Sequence, residues 1–336
     1  MFLQNGSLRL FRLWGVTVFV HWSWALFAAF EIWRRSRPMN GALQANQPVW
    51  FHAALYLCLF AIVLIHEYGH ALACKSVGGK AERIVLWPLG GLAFVQPPQR
   101  AGAVLWSIAA GPLVNVILLP LTWIPAILMG MPADWGGRTP GLGDEFLWYV
   151  AVMNTALLIF NMLPIYPLDG GQIFRALLWF VVGPGMSLVI AAAVGLAGAA
   201  LLALVAIFLG GPWLAVMVIF MGLQSLAGLR MGLGILKLEQ SPRRQEVSCP
   251  TCGAHPPVGR FWTCPCGTRL DTFETHAQCP RCGRVFESTS CAACGQSAPI
   301  AHWYPTPQEA GVLTAPPVAT PAPPGTWQGG KGGDTL

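Results

Sequence analysis

Long apolar runs, not short alternations, shape the first 240 residues. Residues 13–33 stay apolar and aromatic for about 20 positions, enough at about 1.5 Å per residue to cross a ~30 Å hydrocarbon core. Residues 48–77, 101–129, 146–163, 186–209 and 212–236 repeat that pattern, so about six transmembrane helices are expected. Residues 173–182 form a short amphipathic piece between the fourth and fifth runs. Residues 81–96, AERIVLWPLGGLAFVQ, interrupt the series. Their β-branched and apolar residues on both sides of Pro88 and the Gly90-Gly91 pair predict a small β-hairpin. Irregular backbone at this depth persists only where protein or a water-filled cavity covers it, so the hairpin is placed beside an active-site entrance.

Composition sharpens this to an integral membrane protein. The 336 residues are 54% hydrophobic and 10% charged, with 15 Trp, against roughly 25% charged in soluble domains. The mean hydropathy is +0.55. The formal net charge of +6 is scattered over loops without an aromatic and basic stripe, which argues against a nucleic-acid partner. It reads instead as membrane orientation. Arg34, Arg35, Arg37 and Arg138 fall on one side, and eleven basic residues from Arg9 to Arg244 on the other. Both termini are therefore expected in the cytoplasm, although the three arginines of the first loop oppose that count. The N-terminal stretch has no small-residue cleavage site after Trp24 and is read as a first span, not a removable signal.

The chemistry sits in the second run, at AIVLIHEYGHALACKSVGG. His66 and His70 are four apart and share one helix face, with Cβ atoms about 5–6 Å apart. That is the bite of a zinc site, and Glu67 is placed to reach a metal-bound water without ligating the metal. Ionisable groups inside a span are costly and mark function by default. A catalytic zinc takes three protein ligands and keeps one position open. Asp169 is the best third candidate, as the only acidic residue between Glu145 and Glu239, following Pro164 and Pro167 at the mouth of a span. Taken alone it could equally be a helix cap. Asn161 could donate to a developing oxyanion or simply bond between helices. Asn115 reads as structural, His21 as packed or interfacial, His52 as interfacial, and Cys58 and Cys74 as packing residues.

HEYGH within a span, with NMLPIYPLDGG closing another about a hundred residues later, resembles the site-2 protease family of intramembrane zinc metalloproteases. The resemblance covers roughly residues 9–182 and includes the VHW stretch at His21, PLGGLA and GPLVN. It implies that His66, His70 and Asp169 bind zinc and that Glu67 is the general base, in agreement with the spacing. Substrate would add as an extended strand to the hairpin at Gly90 and Gly91.

Eight of the ten cysteines lie between Cys249 and Cys294. Cys249, Cys252, Cys264 and Cys266 form one group of four, and Cys279, Cys282, Cys291 and Cys294 the next. Glycine follows each CxxC pair, as expected of metal knuckles, and the segment resembles tandem zinc ribbons. Two closed structural zinc sites are expected, one per half. The Cys264-x-Cys266 spacing is short, and His255 or His276 could substitute there. Disulfides are the competing use, disfavoured in a reducing compartment.

These readings converge on a multi-pass α-helical membrane protein with a small β-hairpin and an appended zinc-ribbon module. Residues 1–240 would be a membrane metalloprotease domain, 249–304 the cysteine module, and 305–336 a disordered Pro/Gly-rich tail. The function expected is intramembrane zinc endopeptidase, binding one catalytic and two structural Zn2+ and cleaving membrane-protein substrates in the bilayer during regulated proteolysis. The ribbons would meet a protein partner. The alternative is an inactive membrane scaffold that presents the ribbons, against which the intact HEYGH and Asp169 argue.

Overall fold

The computed structural model describes residues 3–4, 6–35, 47–87, 90–130, 141–209 and 212–304. Arg37, Pro38, Pro88, Arg138 and the tail from residue 305 lie outside the described residues. The chain divides into two compact units, residues 1–237 and 238–336.

The first unit is a multi-pass helical membrane fold. Five described helices are long and apolar enough to cross a membrane: α2 (Val49–Ser76), α3 (Ala101–Leu128), α4 (Leu142–Asn161), α5 (Asp169–Leu209) and α6 (Pro212–Glu239). The expected first span is not among them. Its opening residues form strand β3 (Val16–His21), which leaves α1 (Trp22–Arg35) with 14 residues, about 21 Å of helix against a ~30 Å core. The apolar run concealed a strand because Val16 and Val18 are buried while their neighbours face outward, the alternation of a half-covered sheet. The piece at 173–182 lies in a first helix of α5 that non-helical Gly183 (φ 80°, ψ 171°) and Pro184 separate from the long apolar helix after it, as the sequence division into a short piece and a following span anticipates.

The predicted hairpin exists as β4 (Lys80–Trp87) and β5 (Gly90–Gln96), and it belongs to a larger sheet. Strands β1 (Leu3–Gln4), β2 (Ser7–Leu13) and β3 precede it in the order β1-β2-β3-β4-β5, with β3 parallel to β4 and the other pairs antiparallel. One face buries Val16, Val18, Ala81, Ile84 and Leu86 against Tyr68, Ala71 and Cys74 of α2. The sheet is thereby fixed to the half of α2 that carries the histidines, and β5 is one of its two edges among the described residues.

Helices α2 and α3 approach closely through glycine. A Cβ at Gly69 would lie 2.7 Å from the Ala110 carbonyl oxygen and 2.9 Å from Val114 Cγ2. Small residues at such contacts let helix backbones meet in lipid, where no hydrophobic drive operates between helices.

The second unit has little regular structure, as expected for a metal-organised module. Two hairpins, β6 (Trp262–Thr263) with β7 (Arg269–Leu270) and β8 (Ser288–Ser290) with β9 (Ser297–Pro299), each carry a cysteine knuckle at the tip. A core of Val247, Phe273, Ala298 and Trp303 joins the beginning of the module to its end. The Ser248 N–H donates to the Trp303 carbonyl at 2.9 Å.

Candidate metal centres

His66 and His70 lie on one face of α2, buried to 3% and 5% exposure. Their Nε2 atoms are 3.1 Å apart. Asp169, the first residue of α5, aims Oδ2 at both, at 3.0 Å from His66 Nε2 and 3.5 Å from His70 Nε2. The LPIYP segment brings it there. Pro164 and Pro167 end the helical path after α4, the Tyr166–Pro167 peptide is cis, and Ser225 Oγ of α6 donates to the Tyr166 carbonyl at 2.6 Å. Asp169 thus opens a helix, and its carboxylate faces the histidines.

The far ring nitrogens decide what the near ones offer. His70 Nδ1 is 2.9 Å from the Ser107 carbonyl oxygen, which can only accept, so Nδ1 carries the proton. His66 Nδ1 is 2.6 Å from Asn115 Oδ1. The Asn115 amide is oriented by its own donation to Asn154 Oδ1 at 2.9 Å, and Asn154 Nδ2 donates back to the Asn115 carbonyl at 3.1 Å. Both Nε2 atoms therefore present unprotonated lone pairs toward each other and a carboxylate oxygen, that of His66 with only the Asn161 amide at 3.5 Å as a donor. Three acceptors at this range repel unless a cation lies between them. Ligands on a tetrahedral zinc at about 2.05 Å stand about 3.3 Å apart, within the observed 3.0–3.5 Å spread. The donor set fits zinc, with ring orientation fixed by outer hydrogen bonds.

Backbone clearance completes the site. A Cβ at Gly111 of α3 would collide with His70 Nε2 and stand 2.9 Å from His66 Nε2, so only glycine lets α3 pass so near. A Cβ at Gly91 of β5 would collide with the Glu67 carboxylate. Glu67 itself is buried and accepts a hydrogen bond from the Ala93 N–H at 2.9 Å. Asn161 Nδ2 lies 3.5 Å from His66 Nε2, so the amide is at the site.

The family model of peptidase M50B-like matches residues 40–132 and that of peptidase family M50 residues 139–205, spans that hold the His66-Glu67-His70 helix and Asp169 respectively. Over these two stretches the membrane unit is similar to the M50 peptidases. A zinc metalloprotease of Methanocaldococcus jannaschii is 32% identical over 57% of this chain and 51% of its own length. Stage IV sporulation protein FB of Bacillus subtilis is 35% identical over 36% and 39%. A solved site-2 protease from Methanocaldococcus jannaschii matches at 28% identity and a TM-score of 0.47, covering 67% of this chain and 95% of that one. The chain spans about half the length of the curated relatives it matches.

Sequence reasoning did not reach Asn154 or the Ser107 carbonyl. Asn154 stands seven residues before Asn161, two turns up the same face of α4, and that spacing was the available signal. His21 lies at the end of β3 with Nδ1 2.6 Å from Ser23 Oγ, in contact with Trp22 and Trp87.

All ten cysteines are free, which leaves no disulfide. The eight in the second unit form two clusters, but not one per half. Cys249 and Cys252 meet Cys291 and Cys294, while Cys264 and Cys266 meet Cys279 and Cys282. The sequence-local grouping is overturned because the Val247–Trp303 core pins the module's ends together, bringing the first knuckle to the last. Sulfur pairs stand 3.8 Å apart in the outer cluster and 3.5 and 3.6 Å in the inner one. Four thiolates at about 2.3 Å around zinc would stand about 3.8 Å apart. Cys266 completes the inner cluster despite its short spacing. His255 turns away, with Nδ1 2.9 Å from the Val247 carbonyl oxygen, and His276 is in neither cluster.

Proposed function

We propose that this chain is an intramembrane zinc endopeptidase that cuts transmembrane or membrane-proximal segments of membrane proteins, with three zinc ions per chain. Residues His66, His70 and Asp169 would hold the catalytic ion, and the two cysteine clusters the structural ones. Both termini lie in the cytoplasm on this reading, and the process served is regulated intramembrane proteolysis. The observation that carries it is the convergence of two lone-pair imidazoles and a carboxylate from different helices within 3.5 Å, beside a buried glutamate.

Bound zinc supplies a Lewis acid that makes water acidic near neutral pH and polarises a peptide carbonyl. Glu67 does the proton work, taking a proton from the attacking water and returning it to the amine as the C–N bond breaks. Its acceptance from Ala93 leaves the carboxylate held at the edge of β5. A substrate helix must unwind before any of its peptide bonds can be attacked. Strand addition to β5, at Gly90 and Gly91, would present an extended segment alongside Glu67 through main-chain hydrogen bonds. Asn161 donates an N–H toward the oxygen that gains charge. The His66–Asn115–Asn154 chain holds the imidazole against rotation throughout.

Co-expression with a single-span membrane protein, comparing wild type with Glu67→Gln, tests the proposal. The variant should retain zinc and lose cleavage. Undiminished cleavage contradicts it.

A further inference from the structure

The sheet has a second face that the α2 core does not use. Pairing aligns Arg12 of β2, Thr17 of β3, Arg83 of β4 and Phe94 of β5 in one row across it. Lys80 stands at the near end of β4, and with Phe19, Glu82 and Gln96 these residues enclose an open cavity of about 570 Å3. Three cations face one acid. Among the described residues, Arg12, Lys80 and Arg83 have no ion-pair or side-chain hydrogen-bond partner, and Glu82 neutralises none of them. The Arg83 guanidinium stands over the Phe94 ring, 4.0 Å from its centroid. Strands spaced about 4.8 Å apart put the stems of Arg12 and Arg83 about 10 Å apart, a span that two guanidinium groups close on one phosphate.

The cavity's position selects the source of that phosphate. Span α2 ends at Ser76, four residues before Lys80, and Lys75 of its last turn donates from Nζ to the Trp14 carbonyl beside Gly15 on the cavity rim. The cavity thus stands at the level where a span leaves the hydrocarbon. On the opposite side of the sheet, Leu8 and Leu13, paired with Val20 and Val16, and Trp14, against Tyr68, are 43–65% exposed, so the basic face backs onto an apolar margin suited to acyl chains.

We propose that this face binds the phosphate headgroup of an anionic phospholipid through Arg12, Lys80 and Arg83. Such a lipid would anchor the sheet whose far edge bears Gly91 and Ala93, so the site also offers a means by which membrane composition acts on the Glu67 side.

The full-length chain, reconstituted in phosphatidylcholine nanodiscs containing phosphatidylglycerol, should retain phosphatidylglycerol when released for native mass spectrometry. Arg12→Gln, Lys80→Gln and Arg83→Gln are surface changes and should each lower retention about five-fold. Arg100→Gln, outside the cavity, should change it less than two-fold. Millimolar inorganic phosphate should not displace the lipid. Equal loss in the Arg100 variant, equal retention of phosphatidylcholine, or displacement by free phosphate would each overturn the assignment, the last in favour of a soluble anion.

Discussion

Asn115→Ala isolates the outer hydrogen bonds of the proposed zinc site without touching a ligand. Asn115 is fully buried, and its loss leaves two buried groups unpaired, the His66 Nδ1–H and Asn154 Oδ1. Each orphan costs about 1–3 kcal/mol, so the folded apo site loses stability and His66 is free to rotate or to exchange tautomers. Losing an outer partner of a ligating histidine lowers metal affinity about 10–100-fold, or about 1.4–2.8 kcal/mol. Cobalt titration of the purified chain in detergent can read this site separately, because thiolate-to-metal charge transfer marks the cysteine clusters and is absent from a nitrogen and oxygen site. The d–d signal of the His66 site should shift to at least ten-fold higher cobalt, with the thiolate bands unmoved. Asn154→Ala, acting through Asn115, should shift it less. An Asn115→Ala chain that binds within two-fold of wild type would refute the claim that this network positions His66.

Other expectations follow from single contacts. Gly111→Ala drives a methyl group into both imidazole Nε2 atoms and should abolish metal uptake at that site while the cysteine clusters still fill, as counted by elemental analysis. Gly91→Ala displaces the Glu67 carboxylate and should stop cleavage of a reconstituted substrate with zinc content unchanged. Cys252→Ser removes a ligand from the outer cluster, so it should unpin the module's two ends and increase hydrogen exchange near both Val247 and Trp303, a coupling that a one-site-per-half arrangement does not give. Asp271 supplies a pH-linked term in the second unit. Burial alone would raise its carboxyl, but the Arg244 guanidinium at 2.8 Å and the Gly259 and Glu274 N–H groups outweigh that and hold it below the usual carboxylate range. Its stabilisation is therefore complete above the unfolded value of about 3.9 and is lost as pH falls through the lower folded value. Arg244→Gln should cost about 1.5–3 kcal/mol at pH 7, read as faster exchange around residues 258–275 of the full chain.

The zinc site was legible because its signal is local geometry. Two histidines four apart name their own shared face, and one carboxylate in an acid-free stretch of apolar sequence has few other uses. Asn154 escaped, and Asn115 was read as structural without its histidine partner, because a buried asparagine in a span reads equally as a bond between helices until its partner is seen. Residues 13–33 were misread for a different reason, since a half-buried aromatic strand followed by a short helix matches a spanning helix in length and hydropathy. Only the pairing of Thr17 with Arg83 and of Val18 with Ile84 separates the two cases. The cysteine spacings announced knuckles but not their partners, which were set by Val247 and Trp303, far from any metal ligand.

Anomalous diffraction at the zinc edge tests the central claim most directly. Three peaks per chain are expected, with one between His66 Nε2, His70 Nε2 and Asp169 Oδ2. Peaks confined to the two cysteine clusters, with the zinc-replete chain showing none among those three side chains, would contradict it.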